Sequence, residues 1–243
     1  MTDKAGILGQ WPDQANGLNV RIEVEKRTMR MERAEFRKRW EERFGGMGTA
    51  QSRAEVFDQL IAAYTAPSRH YHSLDHIAEC LYEFDTVRAQ AADPTAVEAA
   101  IWFHDVVYDG RRADNEEQSA NIADAALEKL GAAMKLRERV RQLILLTRHD
   151  RAPDSEDGKL IVDIDLASLA VPAREFDHNT QLIRQEYPHI SEEKFREGRC
   201  ALLLRFLRRP RIYFTATFFN RSEQAARENL ERALVRLGKG RGN

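Results

Sequence analysis

Apolar residues recur with a helical period from about Arg30 to Leu237, and Gly and Pro cut the runs where hairpin turns would otherwise be needed. This pattern leaves little room for a sheet. Met31, Phe36, Trp40 and Phe44 mark a helix over about 30–44, stopped by the GGMG run. Ser52 is the expected cap of a second helix that reaches Tyr64. A third runs over about 73–91, with Ile77, Cys80, Leu81, Phe84 and Val87 in register. Asp93-Pro94 opens a fourth, which ends near 104–107. Further helices are expected over about 115–130, 134–148, 160–170, 172–187, 192–208 and 222–237. The segment 151–158 is polar and reads as a loop. IVDID could pass for a strand, but LASLA follows at once and its surroundings are helical. IYFTATFF is the most strand-like run, and with no partner strand in sight it reads as extended chain or a helix-entry loop. The expected fold class is all-α. One helical domain is expected over 29–238, after a flexible leader at 1–28 and before a basic, Gly-rich tail at 239–243; Met29 or Met31 would serve as alternative starts.

Composition narrows the function classes. The 243 residues carry a net charge of −1, so no global charge calls for nucleic acid or an anionic membrane. No run approaches the ~18 apolar residues of a membrane span, and the N-terminus has no apolar signal region. Cys80 and Cys200 lie in helical segments outside any CxxC, which fits buried thiols in a reducing, cytoplasmic setting. No GxGxxG or GxxxxGK phosphate loop occurs.

The chemistry concentrates between Ser68 and Glu117, which holds four of the seven histidines. His72 and His76 are four apart; with Ser73 as a cap, His72 lies in the entry loop and His76 one turn inside the helix. A surface pair is the plain alternative. His104-Asp105 ends the apolar run AAIWF. Adjacent helical residues point ~100° apart, so both reach one ion only if the helix end presents both edges. Asp105 alone could equally be a helix-end carboxylate meeting an arginine. Asp163 and Asp165 sit in an apolar stretch at a spacing of two, so one would be a ligand and the other structural. Histidines and carboxylates gathered from separate helices suit a divalent ion, with Mn, Mg, Fe, Co, Ni and Zn all open.

The order YHxxxH, FHD and a late DxDLxxL resembles the HD superfamily of metal-dependent phosphohydrolases over about 69–169. YHSLDHI is also similar to the signature of cyclic-nucleotide phosphodiesterases, although Ser73 replaces its Asn and no purine pocket is recognisable. YHSLDHI, FHDVVYD, DNEEQSA and DIDLASLA, with RQEY and FREGR further on, are closer to a little-characterised bacterial HD group. The resemblance implies an HD-domain helical bundle with extra N- and C-terminal helices. It implies His76, His104, Asp105 and Asp165 as metal ligands and His72 as proton donor. In such a site Glu116, with Glu117 as rival, would handle the attacking water. Arg69 would hold phosphate, ahead of Arg148, Arg184 and Arg199, and His149 would reach the substrate or a second ion. His178 and His189 read as surface residues. The implied activity is hydrolysis of a phosphate ester, of a nucleotide or another small phosphorylated metabolite. A non-catalytic phosphate-binding module and a di-iron oxygenase of the HD type are the alternatives. The flanking helices 192–208 and 222–237 would close the pocket or form a homodimer face.

Overall fold

A computed structural model describes residues 31–239. Ten α-helices form among them: α1 (Arg33–Phe44), α2 (Ala50–Tyr64), α3 (Leu74–Val87), α4 (Pro94–Phe103), α5 (Asn115–Lys129), α6 (Met134–Leu146), α7 (Glu156–Asp165), α8 (Ala173–Gln185), α9 (Glu192–Leu207) and α10 (Ala216–Lys239). Short 3₁₀ turns follow α3 and α7, and no strand occurs among the described residues. The fold class is therefore all-α, a helical bundle. The expected leader at 1–28 lies outside the described residues, as does the tail beyond Lys239.

Helix α4 is buried on every face from Ala96 to Phe103, as expected for a segment apolar all round. Asp93 caps it by accepting the Ala96 N–H at 3.0 Å, and Pro94 occupies the first turn, where no amide is needed. Helices α3, α5, α6 and α7 pack around α4, and α10 packs on α9 and on the 3₁₀ turn Leu166–Ala170. Trp40 of α1 meets Trp102 of α4 edge-on at 5.5 Å, with Phe57 of α2 against both rings. Glu98 interrupts this apolar helix and is fully buried, which costs heavily unless the charge is paired. Arg39 and Arg43 reach it at 2.8 and 2.9 Å, and Arg88 bonds it as well. No helix among the described residues is long and apolar enough to cross a membrane.

Several boundaries differ from expectation for identifiable reasons. Thr49, not Ser52, caps α2; Ser52 returns the bond to the Thr49 N–H and completes a capping box. Ser155 accepts the Gly158 N–H, so α7 begins inside the segment that reads as a loop. The strand-like run is a loop up to Thr215 and then the start of α10, six residues ahead of Ser222. Carboxylates take the amides a strand would have offered to a neighbour. Glu223 accepts the Ile212 and Tyr213 N–H groups, and Asp163 accepts those of Phe214 and Thr215.

Candidate metal centre

The group begins at the C-terminal end of α4. His104 is its last helical turn's cap, with backbone N–H bonded to Ala100 O at 2.9 Å. Asp105 lies just past it. Helix ends leave carbonyls without partners, and here Arg69 satisfies those that follow. Its Nη1 donates to Asp105 O at 2.7 Å and to His72 O at 3.0 Å, and its Nη2 donates to Val106 O at 2.9 Å. The Tyr64 hydroxyl donates to Trp102 O at 3.0 Å. The chain is thus pinned where it leaves the helix, and His104 and Asp105 can present both edges to one point. Arg69 departs from the expectation of a phosphate ligand: its guanidinium is committed to these carbonyls and ties the loop before α3 to the end of α4.

His104 Nδ1 donates to Ile101 O at 2.9 Å, which leaves the Nε2 lone pair facing inward. His76, one turn inside α3, brings its Nε2 to 3.2 Å from that atom. Asp165 ends α7 and places Oδ1 3.2 Å from His76 Nε2 and 3.4 Å from His104 Nε2. Asp105 Oδ2 lies 3.2 Å from His104 Nε2 and 3.7 Å from His76 Nε2. Cys80 sits one turn beyond His76, its Sγ 3.7 Å from Nε2 and 3.8 Å from Nδ1. His76, Cys80, His104 and Asp165 each offer a donor atom, all within 4.8 Å of one another, and the group could hold a metal ion. The donor chemistry fits: imidazole lone pairs converge beside carboxylate oxygens, and such an arrangement calls for positive charge among them.

The electrostatics agree with that demand. Burial alone would hold the His104 pKa down, but Asp105 and Asp165 outweigh it and raise the pKa well above its usual value. His76 is also raised despite its burial, with Cys80, Tyr71 and Asp165 opposing the desolvation. Burial would push Asp165 up, yet bonds to His104, His149 and His76 hold it well below the usual carboxylate range. Asp105 is likewise depressed against burial, chiefly by His104.

The two aspartates of IVDID take different tasks. Asp163 faces away from this group, fully buried, and accepts the Phe214 and Thr215 N–H groups and the Thr215 hydroxyl at 2.7–2.8 Å. Asp165 alone enters the cluster, as the helical twist over two residues requires.

A cavity of ≈ 260 Å³ opens on the cluster, lined by Asp105, Asp165, His72, Glu116 and His149 among others. His72 precedes α3 and is held from two sides. Its Nδ1 lies 2.6 Å from Glu186 Oε2, and its ring stacks on Tyr108 at 3.7 Å. Glu186 Oε1 also accepts the N–H groups of His70, Tyr71 and His72, each at 2.9 Å. Those bonds, with the His72 ring first among them, overcome burial and lower the Glu186 pKa. The Tyr108 hydroxyl meets that of Tyr187 at 2.9 Å, and a Cβ at Gly110 would come 2.7 Å from the Tyr187 ring, so only glycine leaves Tyr187 its place. Glu186 is absent from the sequence-based site. RQEY is part of the HD-group resemblance, but nothing local in it tells which residue returns to His72 across 114 positions.

Glu116 and Glu117 separate cleanly. Glu116 lines the cavity, and burial, with the charge of Asp105 adding to it, raises its pKa. Glu117 is paired with Arg148, another cavity residue. His149 has a φ of +56°, an uncommon left-handed conformation for a non-glycine residue. Arg209 bonds its carbonyl, and its Nε2 lies 2.7 Å from Asp165 Oδ2. It therefore touches the metal group through Asp165. Cys80, expected as an inert buried thiol, adjoins the cluster; Cys200 is half-buried elsewhere. Arg184 bonds Glu192 and the Tyr187 and Ile190 carbonyls, and it does not line the cavity. His178 and His189 are exposed. Family models, curated proteins and solved structures yield no match to the chain.

Proposed function

We propose that the chain is a metal-dependent phosphohydrolase of the HD superfamily, acting on a phosphate ester of a nucleotide or another small phosphorylated metabolite. The observation that carries this reading is the pairing, in one cavity, of a potential cation site with two separate proton-handling groups: the His72–Glu186 dyad and Glu116. His76, His104, Asp105 and Asp165 would hold the ion. When bound, a divalent cation supplies charge to a phosphate oxygen and acidifies a water.

The protein's own groups divide the remaining work. Glu116, with its raised pKa, is suited to take the proton of an attacking water. His72 Nδ1–H donates to the Glu186 carboxylate, so that, as the imidazolium, His72 would carry its second proton on Nε2 for delivery to the leaving oxygen. The Tyr108 stack and the three amides on Glu186 keep that ring from swinging. A proton enters at Glu116 and leaves at His72, so the two carry opposite roles from different walls of the cavity.

Phosphate release from a panel of nucleotides and sugar phosphates, and alcohol release from diesters, with Mn, Mg, Co, Ni, Zn or Fe supplied in turn, tests the reading. His72→Ala should keep its metal and lose turnover; His104→Ala should lose the metal. A metal-loaded protein that hydrolyses nothing in the panel points instead to a phosphate-binding module without turnover. One observation favours a second enzymatic reading: Asp165 shares its two oxygens between the His76–His104 pair and His149, as a carboxylate between two ions would. Two irons per chain and oxygen consumption would establish that alternative.

A further inference from the structure

Helix α9 carries an arginine where its pattern asks for an apolar residue. Phe195, Leu202 and Phe206 follow the helical period on the face turned to the interior, and Arg199 stands in the same register. Its Nε is fully shielded and has no hydrogen-bond partner. Burial lowers its pKa, and the groups that oppose this are Tyr71, Tyr108 and Tyr187, none of which is a carboxylate. Arg209 also has a shielded Nη1 without a partner, but it bonds the His149 carbonyl and does not line the cavity. Arg39, Arg137 and Arg148 differ in kind. Arg39 reaches Asp85 and Glu98, Arg137 reaches Asp124 and Glu128, and the cavity residue Arg148 pairs with Glu117. On the neighbouring helix α8, Asn179 Nδ2 is likewise shielded and without a partner. Arg199 and Asn179 both line the cavity that opens on the metal group. A buried donor without an acceptor is costly, so two on one cavity wall mark a place where an acceptor is missing.

We infer that Arg199 and Asn179 form a subsite for a second anionic group of the ligand, a carboxylate or a second phosphate, so that the protein selects small phosphate compounds bearing two anionic groups. This rests on the phosphohydrolase reading for the placement of the first phosphate. The wall formed by α8 and α9 supplies no member of the metal cluster, although Glu186, at the end of α8, holds His72. Leu169, Phe176, Ile183, Leu202 and Phe206 are among the apolar residues of that lining and suit a short carbon spacer.

Calorimetric titration of the manganese-loaded full chain tests the subsite with three probes: methyl phosphate, with one anionic group; phosphoglycolate, with a phosphate and a carboxylate; and pyrophosphate, with two phosphates. The wild type should bind one of the last two about 10- to 100-fold tighter than methyl phosphate, the range for an added charged hydrogen bond. The preferred probe distinguishes a carboxylate from a phosphate as the second group. Arg199→Met and Asn179→Leu should each remove about 10-fold of that preference and leave methyl phosphate within about 2-fold. Circular dichroism checks the fold, and Asn179→Leu carries the test if Arg199→Met does not fold. No preference in the wild type, or equal weakening of all three probes in the variants, overturns the inference. Failure of the metal-site reading looks different: methyl phosphate would then bind equally well after the metal is removed by a chelator.

Discussion

Replacing Asp163 or Asp165 with alanine should give different phenotypes, although the two lie two positions apart. Asp163 accepts two backbone amides and a hydroxyl in a region closed to water. Asp163→Ala strands the Phe214 and Thr215 N–H groups, at about 1–3 kcal/mol each. With two amides stranded, the expected loss is about 3 kcal/mol. For a domain of this size that lowers Tm by about 6–12 °C. Asp165 differs because its partners are imidazoles beside a cavity, which can change tautomer or meet water. In chelator Asp165→Ala loses the stabilisation that its lowered pKa reports, but it strands no fixed donor. It should nevertheless abolish metal retention. Urea unfolding in chelator, with elemental analysis of metal-loaded samples, reads both quantities. Metal retained in Asp165→Ala, or metal loss in Asp163→Ala without destabilisation, would refute the division of labour.

Glu186→Gln should keep the fold and the metal but reverse the His72 tautomer; nitrogen-resolved NMR of the ring reads it, and turnover should fall by about 10²–10⁴-fold. Because the Glu186 pKa is lowered, its stabilising contribution is complete above the ordinary carboxylate range and is lost as pH falls through the depressed value. Unfolding free energy below about pH 4.5 should therefore fall less steeply in Glu186→Gln than in the wild type, and identical acid limbs would contradict the pairing. Arg69→Met should cost about 2 kcal/mol by leaving the carbonyls past α4 unpaired, with metal affinity falling as Asp105 loosens. Unchanged stability with weakened phosphate binding would instead restore Arg69 as an anion ligand. Cobalt-loaded protein should show no sulfur-to-cobalt charge-transfer band, since the two histidines and two aspartates suffice without Cys80; a band that Cys80→Ser removes would place the thiol on the ion.

The helices were legible because each is a local pattern. Period, caps and breakers lie within about four residues of one another, and α5 and α9 fall close to their expected bounds. The misjudged segments are those fixed from a distance. Nothing in IYFTATFF announces that Asp163 and Glu223 will take its amides and turn it into the approach to a helix. The site divides the same way. His76, His104, Asp105 and Asp165 could be named because the stretches that carry them resemble the HD-superfamily motifs. Glu186 could not, because its contact with His72 depends on how α8 docks.

Arg69 and Arg199 show the limit most sharply. Both are arginines in motif-like stretches, and sequence ranks Arg69 first because it adjoins His72. Proximity in sequence placed Arg69 beside a helix end, where unpaired carbonyls compete for it more effectively than a transient ligand would. Arg199, 127 positions beyond His72, retains an unpartnered donor in the cavity because no carboxylate lies on its side. A guanidinium can serve a ligand only if the fold leaves its donors unspent. That balance depends on every acceptor around it, so the better anion site is found by counting partners rather than by distance from the catalytic motif.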